Sequence, residues 1–274
     1  WEEGSFKRAR LVLFAVFALV PGMTFAQREH IAVLAMAPFV ALAAAHASQR
    51  LAQSPNTLRL AVGICGGFAM CIKPHFVFMA GLPLLWAAWR CRSIRPLLGL
   101  EGWLAAAIVM AYFGTSFLVF PDYFTVYPRW AAVAYLPLRM APSFFYAVPV
   151  LSVFAAIAFL LHLTCGRNPA QWAGATPWIL AALGGFLSYV LQGKGFPYMR
   201  LPAVAFAVLA PLLSPAFLSY AFPRASRGAV LALCLVPTQW LLVTPINLDG
   251  LQKVIRAMAP AHPKMLAVSS NGSI

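Results

Sequence analysis

Long apolar runs separated by short polar stretches repeat along most of this chain. They read as nine segments: Leu11–Ala26, Ile31–Ser48, Leu60–Ile72, Phe76–Trp89, Glu101–Phe120, Pro142–Leu163, Pro177–Gln192, Leu201–Ala221 and Ala229–Pro245. Each is apolar on every side rather than striped or alternating, which predicts helices immersed in lipid, not surface helices or barrel strands. Several fall short of the roughly 20 residues a simple crossing needs, and the pair Leu60–Ile72 and Phe76–Trp89 is open to a reading as half-helices. The fold class expected is an all-α polytopic integral membrane protein of about nine transmembrane helices.

Composition reinforces that expectation. The chain is 62% hydrophobic and 9% charged, with a mean hydropathy of +0.81, outside the range of an ordinary soluble domain of 274 residues. A net charge of +14 raises the question of nucleic acid. A nucleic-acid protein gathers its cations on one soluble face among stacking aromatics, whereas here they are scattered through membrane loops, so no nucleic-acid partner is expected. The cysteines Cys65, Cys71, Cys91, Cys165 and Cys234 fall inside spans or at their edges and show no zinc spacing.

Lysine and arginine in short loops orient the spans. With Lys7-Arg8-Ala9-Arg10 cytoplasmic, Arg50, Arg59, Arg90, Arg92, Arg95, Arg167, Arg224 and Arg227 fall on the same side, 11 cations together. Before the tail, the opposite side receives Arg28, Lys73, Arg129, Arg139, Lys194 and Arg200, 6 in all. Treating Leu60–Trp89 as one helix would move Arg90, Arg92 and Arg95 outward, so two crossings are favoured there. The chain opens on Trp1-Glu2-Glu3 and ends in a helix-like stretch, Asn247–Ala259, followed by the strand-like run Met265–Ser269. The reading is a piece of a longer protein: residues 1–246 a transmembrane domain that lacks N-terminal spans, and 247–274 the start of an extracytoplasmic α/β domain.

Three polar clusters fall on the side that should carry few cations: Gln27-Arg28-Glu29-His30, Lys73-Pro74-His75 and Gln192–Arg200. A lone Arg or Lys at the boundary is ordinarily an anchor that snorkels, a reading that suits Arg129 and Arg139. In the first cluster, either Glu29 pairs with Arg28 to fix a tight hairpin, or Glu29 or His30 orients and deprotonates a hydroxyl. In the second, Pro74 ends a helix, and Lys73 and His75 either cap the interface or donate to a phosphate in a partly dry site. The third places Gly193 and Gly195 around Lys194, which lets backbone approach a bound group, with Tyr198, Arg200 and Pro202 opening the next span. Its plainer alternative is a flexible turn.

An outer loop, Phe120–Trp130, adds Asp122 among aromatic rings. Those rings serve either as an interfacial belt or as stacking faces for sugar, and Trp130–Met140 is expected to lie flat as a juxtamembrane helix. Glu29, His30 and His75 could approach one another as metal ligands, but such a set arises readily by chance, and no metal or other cofactor is assigned. His46 and His162, inside spans, are expected to bond between helices.

The run Lys194-Gly195-Phe196-Pro197-Tyr198-Met199-Arg200-Leu201-Pro202 resembles the Lys-x-x-x-Tyr-x-x-Leu-Pro junction late in the membrane core of the GT-C glycosyltransferases, the polyprenyl-phosphate-sugar-dependent class that includes aminoarabinose and protein-mannosyl transferases. The resemblance extends to the layout of most of the spans. It implies a sugar donor linked to polyprenyl phosphate, an extracytoplasmic glycan or lipid acceptor, and residence in a bacterial inner membrane with the N-terminus cytoplasmic and the C-terminal tail outside. By the same resemblance Lys194 and Arg200 match the family's phosphate-side junction, and Lys73, His75, Arg28 and Tyr198, read from the clusters themselves, are expected beside them around the phosphate. The family also needs a carboxylate base in its first outer loop, and here the chain departs from it. Of six acidic residues, Glu29 and Asp122 are the two outer candidates. A transporter or flippase for an anionic or lipid-linked substrate is the competing reading; it would place ionisable groups near the bilayer midplane, often within internal repeats.

Overall fold

The computed structural model describes residues 3–48, 54–136, 139, 157–158, 160–162, 169–218 and 230. The regular elements among them are all helical: α1 (Glu3–Leu19), α2 (Arg28–Ala47), α3 (Asn56–Ile72), α4 (Val77–Cys91), α5 (Leu100–Val119), α6 (Asp122–Thr125), α7 (Tyr127–Tyr135), α8 (Pro169–Gln192), α9 (Pro197–Leu212) and α10 (Pro215–Leu218). Among the described residues, three stretches are long and apolar enough to cross a membrane: Arg28–Ala47, Leu100–Val119 and Trp172–Gln192. The chain is a helical membrane protein by that measure. Segments Pro142–Leu163 and Ala229–Pro245, and the tail 247–274, fall wholly or mostly outside the described residues.

Prolines and glycines set the ends of the helices. The first helix stops at Leu19, earlier than Ala26, because Pro21-Gly22 turns the chain into a 3-10 turn over Gly22–Thr24, and Gly22 takes a φ of 48°. Leu60–Ile72 and Phe76–Trp89 become two separate helices divided by Lys73 and a 3-10 turn over Pro74–Phe76. They part at this turn, and each packs along α2. Arg59 at the start of α3 bonds Glu101, which also bonds His46 at the far end of α2, and Cys91 at the end of α4 bonds the His46 carbonyl, so each helix runs its length. At 1.5 Å per residue, α2 spans about 30 Å, and α3 and α4 about 25 and 22 Å. The last described long helix starts at Pro197, before Leu201, and stops at Leu212, short of Ala221.

Packing runs in order from α5 through α3 to α2, then to α4 and α8, then α9, with α1 against the far side of α9. All residues of α9 from Met199 to Leu212 are buried, which makes it the central helix. Phe39, Met36, Phe76, Met79, Phe206 and Leu209 fill the core around it. Small residues make the close crossings possible, as expected where lipid supplies no hydrophobic drive between helices. A Cβ on Gly63 would lie 2.8 Å from the Glu101 carbonyl oxygen, and one on Gly67 would lie 3.0 Å from the Ile108 Cβ, so these two glycines seat α5 against α3. Gly184 and Gly185 do the same for α8 against α4 and α9.

Helix α5 touches little besides α3 and presents Trp103, Met110, Phe117 and Leu118 outward, Leu118 at 80% exposure. A face this apolar belongs against acyl chains.

Candidate functional site

At one end of the bundle the chain gathers the three polar clusters. Glu29 stands in the first turn of α2, Lys73 in the break between α3 and α4, and Gln192 at the last residue of α8. The Lys73 ammonium donates to the Glu29 carboxylate and, at 2.6 Å, to Gln192 Oε1. Gln192 is aimed by its own amide, which donates to the Ser188 carbonyl at 3.0 Å, and the Ser188 hydroxyl donates to the His75 carbonyl at 2.7 Å. A chain of hydrogen bonds thus ties α8 to the Lys73-Pro74-His75 turn. The Tyr198 ring lies 5.7 Å from the Lys73 ammonium and stacks on Phe196 at 5.6 Å and 8°.

Glu29 is 1% exposed, and it pairs with Lys73 rather than with its neighbour Arg28, which is exposed. The hairpin between α1 and α2 is held instead by His30. Its Nδ1 accepts from the Ala26 N–H at 2.9 Å, leaving Nε2 to donate to the Phe17 carbonyl at 2.9 Å. With both ring nitrogens engaged, His30 has a structural task and is not placed to act on a hydroxyl or a metal. Among the described residues no group of three His, Cys, Asp or Glu side chains is arranged to hold a metal ion.

Lys194 sits between Gly193 and Gly195, whose φ angles of 65° and 70° only glycine adopts without strain. Burial holds the Lys194 ammonium below the ordinary lysine range, and the positive charges of Lys73 and Arg28 push the same way. Burial also lowers Lys73, partly offset by its bond and attraction to Glu29 and reinforced by Arg28. Arg28, Lys73 and Lys194 are therefore near enough to repel one another. For His75, burial is the largest cause of a fall to about 4; the charges of Lys73 and Lys194 add to it and Gln192 works against it. Its ring is neutral at pH 7, and its Nε2 is buried without a hydrogen-bond partner. Desolvated cations and an unsatisfied imidazole nitrogen form a site suited to an oxyanion.

Arg200 is in the same region but turned inward. Its Nε donates to the Tyr189 hydroxyl at 3.0 Å and an Nη to the Gly195 carbonyl at 3.2 Å, so it shapes the glycine turn from beneath. Arg139 comes close to this turn: its Cγ lies 3.2 Å from where a Gly193 Cβ would stand. Sequence reasoning read Arg139 only as an anchor, and missed Ser188 and Tyr189; the i, i+4 spacing of Ser188 and Gln192 in an apolar helix was the available signal. Asp122 does not join. It is exposed on α6, which packs with α5 and α7, apart from the Glu29–Lys73 pair.

A second buried polar cluster closes the opposite end. Glu101, 1% exposed in the first turn of α5, bonds His46 Nε2 through Oε1 and receives the Arg59 Nε at 2.8 Å on Oε2. His46 does bond between helices; His162 is exposed. The Cys91 thiol donates to the His46 carbonyl at 3.3 Å.

Fold and site together define a helical membrane protein with a cation-rich, partly buried polar cluster at one end of its bundle. A scan against protein-family models finds no match, and neither the curated proteins nor the solved structures contain a match to the chain.

Proposed function

We propose that this chain is the membrane core of a GT-C-like glycosyltransferase. It takes a sugar from a polyprenyl-phosphate carrier and places it on a glycan or lipid acceptor outside a bacterial inner membrane, in assembly of the cell envelope. In this reading about nine spans surround the site, the N-terminus of the chain is cytoplasmic, the Glu29 end faces outward, and residues 247–274 begin an outer domain. Lys73, Lys194, Arg28 and the His75 Nε2 receive the lipid phosphate, Tyr198 borders them, and Arg200 fixes the glycine turn. Glu29 is the carboxylate nearest the phosphate; Asp122 is left to contact an acceptor that reaches α6.

The observation that supports the reading is the mutual approach of Arg28, Lys73 and Lys194, with Lys73 on the buried Glu29 carboxylate, beside the unpartnered His75 nitrogen. Mutually repelling cations in a desolvated place are stabilised by an anionic ligand. The placement of ionisable groups also favours a transferase over a flippase. Among the described residues, the buried pairs lie at the two ends of α2 rather than midway along it. Lys194→Ala in the full-length protein is expected to abolish sugar transfer from a polyprenyl-phosphate-linked donor while membrane insertion stays intact. Undiminished product would overturn the assignment.

A further inference from the structure

We propose that Lys73 is an exchangeable latch: on binding, a phosphate monoester draws the Lys73 ammonium away from Glu29 and Gln192 and leaves the Glu29 carboxylate released beside the bound phosphate. This rests on the reading of the Lys73 end as a phosphate site and adds the order of events within it.

The central cation of the site is already engaged. Its ammonium is bonded to the Glu29 carboxylate and to Gln192 Oε1. Two of its three N–H donors are thus taken, and a phosphate can hold Lys73 through more than the remaining one only by competing with those acceptors. An acid-base role for Glu29 meets the same obstacle from the other side, since its carboxylate is buried and held by the ammonium. One movement removes both obstacles.

The means for that movement are present. Lys73 follows the last residue of α3 in extended backbone, with φ −151° and ψ 121°, and Pro74 starts a separate turn, so no helix fixes its side chain. Four methylenes let the ammonium swing without a backbone change. The groups that face it are Arg28 and Glu29 from α2, His75 in its own turn, Gln192 from α8, and Lys194 and Tyr198 from the turn and start of α9. The phosphate would answer the repulsion among the three cations and satisfy His75 Nε2, gains that offset the lost Glu29 contact.

A double-mutant cycle on the full chain tests the exchange. The probes are methyl phosphate with detergent-solubilised protein and farnesyl phosphate in phosphatidylcholine nanodiscs; binding of both marks recognition of the phosphate itself, and binding of farnesyl phosphate alone marks recognition that needs the lipid, either supporting the proposal if the coupling appears. Glu29→Gln is expected to tighten binding about tenfold, Lys73→Met to weaken it about tenfold, and the gain from Glu29→Gln to vanish in the Lys73→Met background. A gain that persists there means Glu29 acts only through its charge and overturns the exchange. A second readout does not depend on Lys73→Met folding. The Nζ resonance of Lys73, assigned with Lys73→Arg, should move on adding phosphate and already be displaced in Glu29→Gln; a resonance unmoved by bound phosphate overturns the proposal. Coupling without sugar transfer would leave the exchange standing and overturn the transferase reading; transfer with additive variants would do the reverse. Absence of binding to either probe overturns both.

Discussion

At His75 burial and then the two neighbouring lysines push toward a neutral ring, and the opposing pull of Gln192 is too small to prevent it. A histidine held at about 4 against an ordinary 6.5 binds its proton more weakly folded than unfolded. The stability this gives is fully present above pH 6.5 and is lost as pH falls toward 4. Thermal unfolding in detergent should therefore show a fall in Tm across that window, and His75→Gln should flatten it. An unchanged pH profile in that variant would show that the ring is not desolvated. The residue scale also divides what sequence could and could not reveal. The glycines around Lys194 were legible as a place where backbone turns or approaches a bound group, but their left-handed φ angles came only with the structure. The partner of Glu29 was not. Proximity in sequence pointed to Arg28, but successive residues on a helix diverge, and the carboxylate points inward to Lys73 while the guanidinium points out.

At the scale of elements, the close crossings rest on glycines whose missing side chain is the contact. A Cβ on Gly184 would stand 2.6 Å from the Met79 backbone nitrogen, and backbone cannot swing aside. Gly184→Ala should separate α8 from α4 and cost about 1–3 kcal/mol, read as a lower Tm. Gly114 on α5 provides the control, since nothing lies within 4 Å of its Cβ position. Gly114→Ala should be neutral or stabilise by up to about 1 kcal/mol through helix propensity. If both variants behave alike, packing at Gly184 is not what holds α8. The division of Leu60–Trp89 into two helices was readable from Lys73-Pro74 and the cation balance. That each packs on α2 more than on the other was not, because all-round apolar helices carry no stripe to say which neighbour each face will meet.

Across the whole molecule, α2 joins two buried ionic clusters: Glu29 with Lys73 at one end, and Glu101 with His46 and Arg59 at the other. If the bundle crosses the membrane as its apolar helices imply, these ends face opposite compartments. Single cysteines at Phe25 and Ile94, exposed near the respective ends, should react with an impermeant maleimide from opposite sides in a background free of the native cysteines. Reaction of both from one side would refute that arrangement. Helical class, membrane environment and the polar positions of interest followed from sequence alone, since burying backbone in lipid leaves so few solutions and charges there are so rare. Only the tertiary structure decided their company. It brought Glu29, Lys73 and Gln192 into one network, turned Arg200 inward, gave His30 to the hairpin and left Asp122 apart. Those choices depend on which helix faces meet, and that is set by glycine-sized clearances between segments far apart in the chain.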